Sequence, residues 1–464
     1  MTQAERFGAV RLFKPRTTIK SVAILATGDG EWDDPLMMRM AQELVDAGNA
    51  VIGVDTVEYL KAIDDTSDQC IYMGGDFEDL AHVMEKQLGV ARYMPPILVG
   101  YSSGASLVYA VLAQAPRGMF QGGMSVGFCN QMDLTHSLCS SRGTLDKLIT
   151  VDDKPALQLL PIHTVSANWV VLQGEQDQYC KVETARQFSA QITAAQLRTV
   201  PKVDHFLGEQ KQWRDGFLNA YQGLQPVKAV VSLPPEVSDL PVTEVPSIRP
   251  GDELAILFTG DGGWAELDQE LARELSASGV SVVALSSLQY FWQERKPQQA
   301  AKDLARIMAH YSQVWQRPRI RLLGYSFGAD VLPAIANALP AADRAHVVSV
   351  GLLSLLPRTS FEIRVVGWLG QVVGEQPVRP ELDALAAAGI PITCVYGRDD
   401  KESLCRELPI SVAQVVALPG GHNCNDDHAA IVRAWMSGRG PVAARSVVDK
   451  PANGTVTTVH SSPL

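Results

Sequence analysis

The stretch Gly324-Tyr325-Ser326-Phe327-Gly328 decides the fold prediction because of what stands on either side of it. It follows a short apolar run, Ile320–Leu323, typical of a buried strand, and precedes Ala329–Leu339, whose residues favour a helix. A serine at a sharp strand-to-helix turn has its hydroxyl exposed above the sheet, and small residues two positions away on either side prevent clashes with neighbouring backbone. The pattern therefore predicts a nucleophilic serine at Ser326.

A serine hydroxyl is a weak nucleophile at neutral pH, so it needs a histidine base, and that base needs a carboxylate partner. In sites built on such a turn the chain order is Ser, then Asp or Glu, then His. Asp400 follows the predicted strand Ile392–Tyr396, and His422 follows the predicted strand Val412–Leu418. Order and strand-end position together predict Ser326, Asp400 and His422 as a catalytic triad.

The backbone around Ser326 is also expected to supply an oxyanion hole. The N–H of Phe327, at the start of the helix, is one predicted donor, and the second is expected from the loop after the first strand of the unit. That loop is Thr259-Gly260-Asp261-Gly262-Gly263, so Asp261 or Gly262 is the predicted second donor. A phosphate-binding loop is discounted because the Gly-x-x-x-x-Gly-Lys pattern is absent.

Four features of this half of the chain recur in the first half, in the same order and at nearly constant separation, which indicates a duplicated unit. The glycine loop Thr27-Gly28-Asp29-Gly30-Glu31-Trp32 of the first copy matches Thr259-Gly260-Asp261-Gly262-Gly263-Trp264 of the second, and Gly100-Tyr101-Ser102-Ser103-Gly104 matches the serine motif. Further along, Gly174-Glu175-Gln176-Asp177 matches Gly397-Arg398-Asp399-Asp400, and Asp204-His205 matches Gly421-His422. Because Asp177 aligns with Asp400, Asp400 is preferred to its neighbour Asp399 as the triad acid.

The first copy thus contains a possible second triad of Ser102, Asp177 and His205. Two interpretations stay open. Both copies are active, or the first is a relic that keeps the fold and binds membrane, substrate or a partner. Its histidine loop lacks the Gly-Gly pair of the second copy, and the adjacent Asp204 is expected to perturb the base.

Short apolar runs alternate with helical patterns in each copy, which predicts an α/β protein of two tandem α/β-hydrolase-like domains, each a mainly parallel sheet flanked by helices. In the second copy Leu267–Ser276 and Gln299–Tyr311 are predicted helices. We predict an N-terminal unit at residues 1–224, a Pro-rich extended linker at 225–250, a catalytic C-terminal unit at 251–440 and a polar tail at 441–464.

Composition narrows the function classes. The 464 residues have a net charge of −11 and no long Lys/Arg run, which argues against nucleic-acid binding. No run of about 18 apolar residues is present, so no transmembrane helix is expected. Residues 1–20 lack the apolar middle of a signal peptide, as in a cytoplasmic protein or a secreted protein without its leader.

The seven cysteines leave the redox state open between disulfides and buried free thiols. Cys129 and Cys139 are close in sequence, and Cys405 and Cys424 flank the predicted catalytic loops. No Cys-x-x-Cys pair exists, so we expect no zinc site. We also expect no other metal and no cofactor.

The second copy resembles the VirJ/AcvB family of bacterial virulence-associated hydrolases. The resemblance covers most of Leu254 to Gly438, and its two-copy layout is similar to the longer AcvB-like members. It rests on Phe258 to Trp264, Tyr290-Phe291-Trp292, Gly324 to Asp330, Phe361-Glu362-Ile363, Gly367-Trp368-Leu369-Gly370 and Gly420-Gly421-His422.

This resemblance implies a periplasmic enzyme at the outer face of the inner membrane that removes lysine or alanine from aminoacyl-phosphatidylglycerol, a lipid substrate. The leader that it implies is expected to have been removed. Candidates for the acidic wall of a pocket for a lysyl group are Asp261, Asp330 and Glu362, although capping and fold-supporting hydrogen bonds are the preferred role for them. Candidates for a lipid-binding rim are Trp264, Tyr290, Phe291, Trp292 and Trp368, although core packing is the preferred role for most of them.

Two other functions compete with this one. The chain could be a carboxylesterase, thioesterase or peptidase that acts on soluble substrates. It could also be a non-catalytic periplasmic scaffold in virulence or secretion. Activity on the lipid separates the lipid hydrolase from an enzyme that acts on soluble substrates. The effect of replacing Ser326 separates both enzymes from a scaffold.

Overall fold

The computed structural model describes residues 2–66, 70–140, 143–151, 153–225, 236–364 and 374–437. Within them the chain forms two successive units, each a mainly parallel sheet packed between helices. This confirms the predicted fold class. The predicted polar tail, the beginning of the predicted linker (226–235) and the segment Gly367–Gly370 lie outside the described residues.

The N-terminal unit has eight strands in its main sheet among the described residues. In spatial order they are Thr2–Ala4, Gly8–Phe13, Ala50–Val54, Val22–Ala26, Ile97–Tyr101, Gly122–Val126, Trp169–Gly174 and Ala195–Val200. Gly8–Phe13 runs antiparallel to both neighbours, and the other neighbouring pairs are parallel.

Helices and one small sheet complete this unit. The helices are Pro35–Asp46, Thr56–Asp64, Met73–Leu88, Ser103–Gln114, Val182–Ser189 and Gln210–Leu224. Gln131–Met132, Lys154–Leu159 and Asp146–Val151 form an antiparallel three-stranded sheet.

The C-terminal unit repeats this plan with seven described strands. In spatial order they are Val242–Val245, Ser281–Leu285, Glu253–Phe258, Arg319–Tyr325, Val347–Leu353, Ile392–Gly397 and Gln414–Leu418. Its helices are Glu266–Ala277, Ser287–Tyr290, Pro297–Val314, Phe327–Asn337, Ala341–Arg344, Arg379–Ala387 and His428–Ser437. Arg358–Thr359 and Gln376–Pro377 form a short separate ladder.

Part of the predicted linker belongs to this second sheet. Val242–Val245 pairs antiparallel with Ser281–Leu285 and forms the edge of the sheet. An edge strand tolerates flanking prolines because only one side of it must donate hydrogen bonds. The prolines therefore predicted extended backbone without revealing that it pairs.

The strands are apolar at consecutive positions because both faces of each sheet are covered. Val22–Ala26 is buried throughout, with Ile24 in one apolar cluster and Ala23 and Leu25 in another on the opposite face. Successive side chains of a strand point to opposite faces, so such a run serves two cores at once.

The two units share one of these cores. An apolar cluster continues from the N-terminal unit into the C-terminal unit, and the ring centroids of Tyr93 and Trp292 lie 5.2 Å apart across the boundary. The indole N–H of Trp292 donates to the carbonyl of Val90 at 3.0 Å. The units are therefore packed together rather than merely tethered. None of the described helices is both long enough and apolar enough to cross a membrane.

Candidate active site

Ser326 lies at a strained turn between a strand and a helix. The strand Arg319–Tyr325 ends one residue before it, and the helix Phe327–Asn337 begins one residue after it. Its backbone has φ 50° and ψ −122°, a region that non-glycine residues rarely adopt and that costs about 1–3 kcal/mol. Its N–H donates to the carbonyl of Leu353 at 2.9 Å, which ties the turn to the next strand.

The glycines on either side of Ser326 are required by close packing. A Cβ on Gly328 would lie 2.3 Å from the carbonyl oxygen of Phe258, and one on Gly324 would lie 2.7 Å from the backbone N of Ala329. Both distances are shorter than atoms tolerate. The absence of a side chain at Gly328 lets the turn pack against the first strand, and its absence at Gly324 lets the strand pack against the start of the helix.

The predicted triad side chains meet at the carboxyl ends of three strands. The Nε2 atom of His422 lies 2.9 Å from the Oγ of Ser326, and its Nδ1 lies 3.1 Å from an oxygen of Asp400. Asp400 is buried, whereas Asp399 is exposed and does not reach the imidazole. The geometry favours Asp400 as the acid, and the catalytic roles of these residues stay predictions.

The loops that hold the base and the acid are fixed by contacts that the sequence did not indicate. The hydroxyl of Ser354 donates to the backbone carbonyl of His422. A disulfide joins Cys394, in the strand before Asp400, to Cys405 just after it. Both contacts hold the loops near the sheet, so the imidazole and the carboxylate keep their relative position.

A pocket of about 180 Å³ opens beside Ser326. Asp261, Asp330 and Glu362 line it, as do Phe327 and Arg358. The imidazole of His422 is 42% exposed, so the reacting atoms are open to solvent. A substrate could therefore reach Ser326 without displacing part of the described fold.

The predicted oxyanion donors surround this opening. Phe327 is the first helical residue, and the first N–H groups of a helix have no acceptor within the helix. In the loop after the first strand, the N–H of Gly263 donates to the carbonyl of Gly260 at 3.1 Å, which places Asp261 and Gly262 at the tip of a turn. Their role as donors to a substrate stays a prediction.

The acidic residues of the pocket differ in what they can contact. Asp330 is buried and accepts the N–H of Leu356 at 2.7 Å, and burial raises the pKa of its carboxyl well above the usual value. Glu362 forms an ion pair with Lys86 of the N-terminal unit. Asp330 thus supports a loop, and the charge of Glu362 is balanced by that of Lys86. The exposed carboxylate of Asp261 is therefore the better candidate to bind a cationic group of a substrate.

Among the described residues, most of the candidate aromatic side chains pack in the core, which was their preferred role, and they form no rim at the pocket. Tyr290 is 1% exposed, and its hydroxyl donates to Asp303 at 2.7 Å, so its predicted substrate contact is wrong and it is a core residue. Phe291 and Trp292 are likewise buried. Trp264 is half-buried and lines a different cavity, of about 280 Å³, between the two units. Trp368 lies outside the described residues.

The first copy brings its three predicted residues together in the same way. The Nε2 atom of His205 lies 3.1 Å from the Oγ of Ser102, and its Nδ1 lies 2.8 Å from an oxygen of Asp177. Ser102 has φ 54° and ψ −116°, close to the values of Ser326. The neighbouring Asp204 is exposed and accepts the N–H of Phe206 at 3.1 Å.

Six of the seven cysteines are paired in disulfides. The pairs are Cys70–Cys139, Cys129–Cys180 and Cys394–Cys405, and Cys424 is a buried free thiol. The sequence neighbours Cys129 and Cys139 therefore bond elsewhere. Asp177, Cys180 and His205 are close enough together to suggest a metal site among the described residues. Since Cys180 is already bonded and Asp177 pairs with His205, these contacts account for the cluster.

The fold is similar to that of solved α/β-hydrolases, at low identity. Est1E from Butyrivibrio proteoclasticus is 12% identical, with 46% of this chain and 93% of that chain covered and a TM-score of 0.32. XC6422 from Xanthomonas campestris, described as an α/β serine hydrolase without a lid, is 16% identical, with coverages of 49% and 95% and a TM-score of 0.34. These likenesses concern the fold alone.

A search of curated proteins finds no match to this chain. The profile of one family, described as bacterial virulence protein (VirJ), matches twice, over residues 20–207 and 252–439. Each match covers most of one of the two α/β units, and together they cover most of the sequence. The chain therefore belongs to the VirJ family of bacterial virulence proteins and carries two copies of the family's domain.

Proposed function

We propose that this protein is a periplasmic serine hydrolase that cleaves the aminoacyl ester of aminoacyl-phosphatidylglycerol to phosphatidylglycerol and a free amino acid. One observation carries the proposal: the imidazole of His422 bridges the hydroxyl of Ser326 and the buried carboxylate of Asp400. Such a bridge converts an alcohol into a nucleophile at neutral pH.

The reaction follows from this bridge in two halves. The Oγ of Ser326 attacks the ester carbonyl carbon while Nε2 of His422 takes its proton, and Asp400 stabilises the resulting imidazolium. The proton then passes to the departing glycerol oxygen, which releases phosphatidylglycerol and leaves the amino acid esterified to Ser326. A water molecule, deprotonated by His422, cleaves that ester and frees both the amino acid and the serine.

The charge beside Ser326 supports an aminoacyl group. Every aminoacyl ester has an α-ammonium group one carbon from the reacting carbonyl. Asp261 is exposed and lines the same pocket as Ser326, so its carboxylate is available to that cation. Lysyl and alanyl esters share this group, and both are proposed substrates.

The open position of the site supports a substrate presented at a membrane surface, because the exposed imidazole lies at the rim of the sheet. The three disulfides support a periplasmic location, since disulfides persist in oxidising compartments. The family resemblance supports the lipid substrate.

The test is hydrolysis of lysyl- and alanyl-phosphatidylglycerol in mixed micelles, with phosphatidylglycerol and free amino acid measured as products. A Ser102→Ala protein should release both products, and adding Ser326→Ala should reduce the rate by about 10³-fold or more. If the protein hydrolysed only short-chain soluble esters and not the lipids, its substrate would be a soluble ester and the proposed lipid substrate would be wrong. No Ser326-dependent hydrolysis of any ester, with cellular phenotypes intact in Ser326→Ala, would favour a scaffold.

A further inference from the structure

We propose that Ser102 is the nucleophile of a second ester-hydrolysing centre in the same chain, with His205 as its base and Asp177 as its acid, and that its substrate is a carboxylic ester with an apolar group. This proposal goes beyond the activity assigned to Ser326. It chooses between the two interpretations of the first copy, relic or enzyme, on structural grounds.

The backbone at Ser102 is held in the same strained turn as at Ser326. Ser102 has a positive φ, its N–H donates to the carbonyl of Val126 at 2.9 Å, and its side chain is partly exposed. A Cβ on Gly104 would lie 2.5 Å from the carbonyl of Ala26, and one on Gly100 would lie 2.0 Å from that of Gly104. Such a backbone conformation costs about 1–3 kcal/mol of stability and is found mainly at functional sites, which favours the enzyme over the relic.

The acid of the first copy is held by more hydrogen bonds than the acid of the second. One oxygen of Asp177 accepts the N–H groups of Tyr179 and Cys180 at 2.9 and 2.8 Å. Its other oxygen accepts from Gln173 at 2.9 Å and faces His205. The disulfide Cys129–Cys180 anchors this loop. The carboxylate is thereby oriented toward the imidazole that it must stabilise.

Burial strengthens this base–acid pair. The side chain of His205 is 8% exposed and that of Asp177 is 1% exposed, against 42% for His422. Screening by water is weaker at such a site, so the attraction between a developing imidazolium and the carboxylate is stronger. Tyr101, which precedes the serine, also holds the histidine loop in place, because its hydroxyl donates to the backbone carbonyl of His205 at 3.0 Å.

The oxyanion loop of the second copy has a counterpart here. The Oγ1 of Thr27 accepts the N–H of Thr56 at 3.0 Å, as Thr259 accepts that of Ser287 at 2.9 Å. A Cβ on Gly28 would lie 2.9 Å from the ring of Tyr101, so the loop passes close to the serine turn. The N–H of Ser103, at the start of the helix, is the other expected donor of an oxyanion hole in the first copy.

The surroundings of Ser102 indicate a different substrate from that of Ser326. Tyr179 and Phe206 are 72% and 58% exposed, and their ring centroids lie 5.4 and 5.7 Å from that of His205. Two exposed aromatic rings against a buried base form an apolar wall beside the imidazole that faces Ser102. They would contact an apolar acyl or alcohol group next to the scissile bond.

The chemistry balances without any further reactant except water. The Oγ of Ser102 bonds to the carbonyl carbon and its proton moves to Nε2 of His205. The C–O bond to the alcohol then breaks, and the alcohol leaves with that proton. Water adds to the acyl-serine, His205 takes and returns one proton, and a carboxylic acid and free Ser102 result.

The first test is labelling with a fluorophosphonate, which reacts with activated serines, followed by peptide mass mapping. The folded wild-type protein should carry one adduct on Ser102 and one on Ser326. The Ser102→Ala protein should carry the adduct on Ser326 only, the Ser326→Ala protein the adduct on Ser102 only, and the double variant none. Urea-unfolded protein should carry no adduct. An adduct on Ser326 alone would overturn this proposal, whereas an adduct on Ser102 alone would support it and count against the proposed function.

The second test is hydrolysis of p-nitrophenyl butyrate by the Ser326→Ala protein. Adding Ser102→Ala to the Ser326→Ala protein should lower the remaining rate by about 10³-fold or more and leave the circular dichroism spectrum unchanged. Phe206→Ala should raise KM several-fold, while Ile410→Ala, at a residue 85% exposed in the other unit, should leave KM unchanged. A rate that survives Ser102→Ala, or no rate at all, would overturn the proposal.

Discussion

The ammonium group of Lys86, in the N-terminal unit, lies 3.0 Å from a carboxylate oxygen of Glu362, in the C-terminal unit. The same ammonium donates to the backbone carbonyl of Trp292 and lies 4.6 Å from the centroid of its ring. Glu362 lines the pocket of Ser326. The N-terminal unit therefore supports one wall of the active site of its neighbour.

This ion pair should stabilise the contact between the units. Lys86→Met and Glu362→Gln should each lower the free energy of unfolding, and a double-mutant cycle should give a coupling of about 0.5–1 kcal/mol, because both groups are partly shielded from water. Urea unfolding of the four proteins measures it. Strictly additive effects would show that the two charges do not stabilise each other.

The choice between the two adjacent acids can be tested by a matched pair of variants. Asp400→Asn should lower kcat by about 10³–10⁴-fold, since the amide no longer stabilises the imidazolium. Asp399→Asn should keep nearly full activity because Asp399 is exposed and away from the imidazole. Ester hydrolysis in a Ser102→Ala background measures both, and equal losses would contradict the assignment.

The close packing at Gly328 predicts a large effect of adding one methyl group. Gly328→Ala places a Cβ 2.3 Å from the carbonyl oxygen of Phe258, so the helix must move, at a cost of about 1–3 kcal/mol. Gly216→Ala, inside the helix Gln210–Leu224, meets no atom closer than 3.9 Å and should stabilise by about 0.5–1 kcal/mol. Urea unfolding distinguishes them, and a Gly328→Ala protein as stable as wild type would contradict the packing argument.

A partly buried carboxyl between the units, that of Glu78, should make stability pH-dependent. Burial, and then the charges of Asp261 and Asp79, raise the pKa of Glu78 to about 8. The unfolded value is about 4.3, so between about pH 4.5 and 8 the folded protein keeps a proton that the unfolded chain has lost. The stability contributed by this protonation is complete below that window and lost as pH rises through it.

Glu78→Gln cannot ionise, so its melting temperature should fall less than that of wild type between about pH 5 and 8. Glu183→Gln removes an exposed carboxylate and should follow the wild-type curve. Thermal unfolding monitored at several pH values makes the comparison. Parallel curves for wild type and Glu78→Gln would contradict the shifted pKa.

Periodicity and turn residues allowed most strands of the C-terminal unit to be predicted to within one or two residues. The predicted strand Ile392–Tyr396 differs from the observed one only by the inclusion of Gly397, and the predicted Val412–Leu418 begins two residues before the observed Gln414–Leu418. These runs are predictable because a strand covered on both faces must be apolar at consecutive positions. Val242–Val245 was not predicted as a strand, because its pairing depends on a neighbour nearly 40 residues away.

The side chains of the site were predictable by type and order but not by contact. Trp264 and Tyr290 stand beside motifs in sequence, yet one lines a cavity between the units and the other donates a hydrogen bond inside the core. The direction in which a side chain points depends on the local turn and on what packs against it. No spacing rule contains that information.

The sequence alone determined the duplicated unit, the strand–turn–helix setting of Ser326 and the order of serine, acid and histidine, because these follow from local periodicity and from the chemistry that the residue types permit. The alignment of Asp177 with Asp400 already favoured Asp400 over Asp399, and the structure places Asp400 against His422. Only the tertiary structure decided that Cys394 bonds to Cys405 and that Lys86 of one unit meets Glu362 of the other. Hydrogen bonds, disulfides and ion pairs require atoms within a few ångströms of each other, and for residues distant in sequence only the folding of the sheets sets that separation.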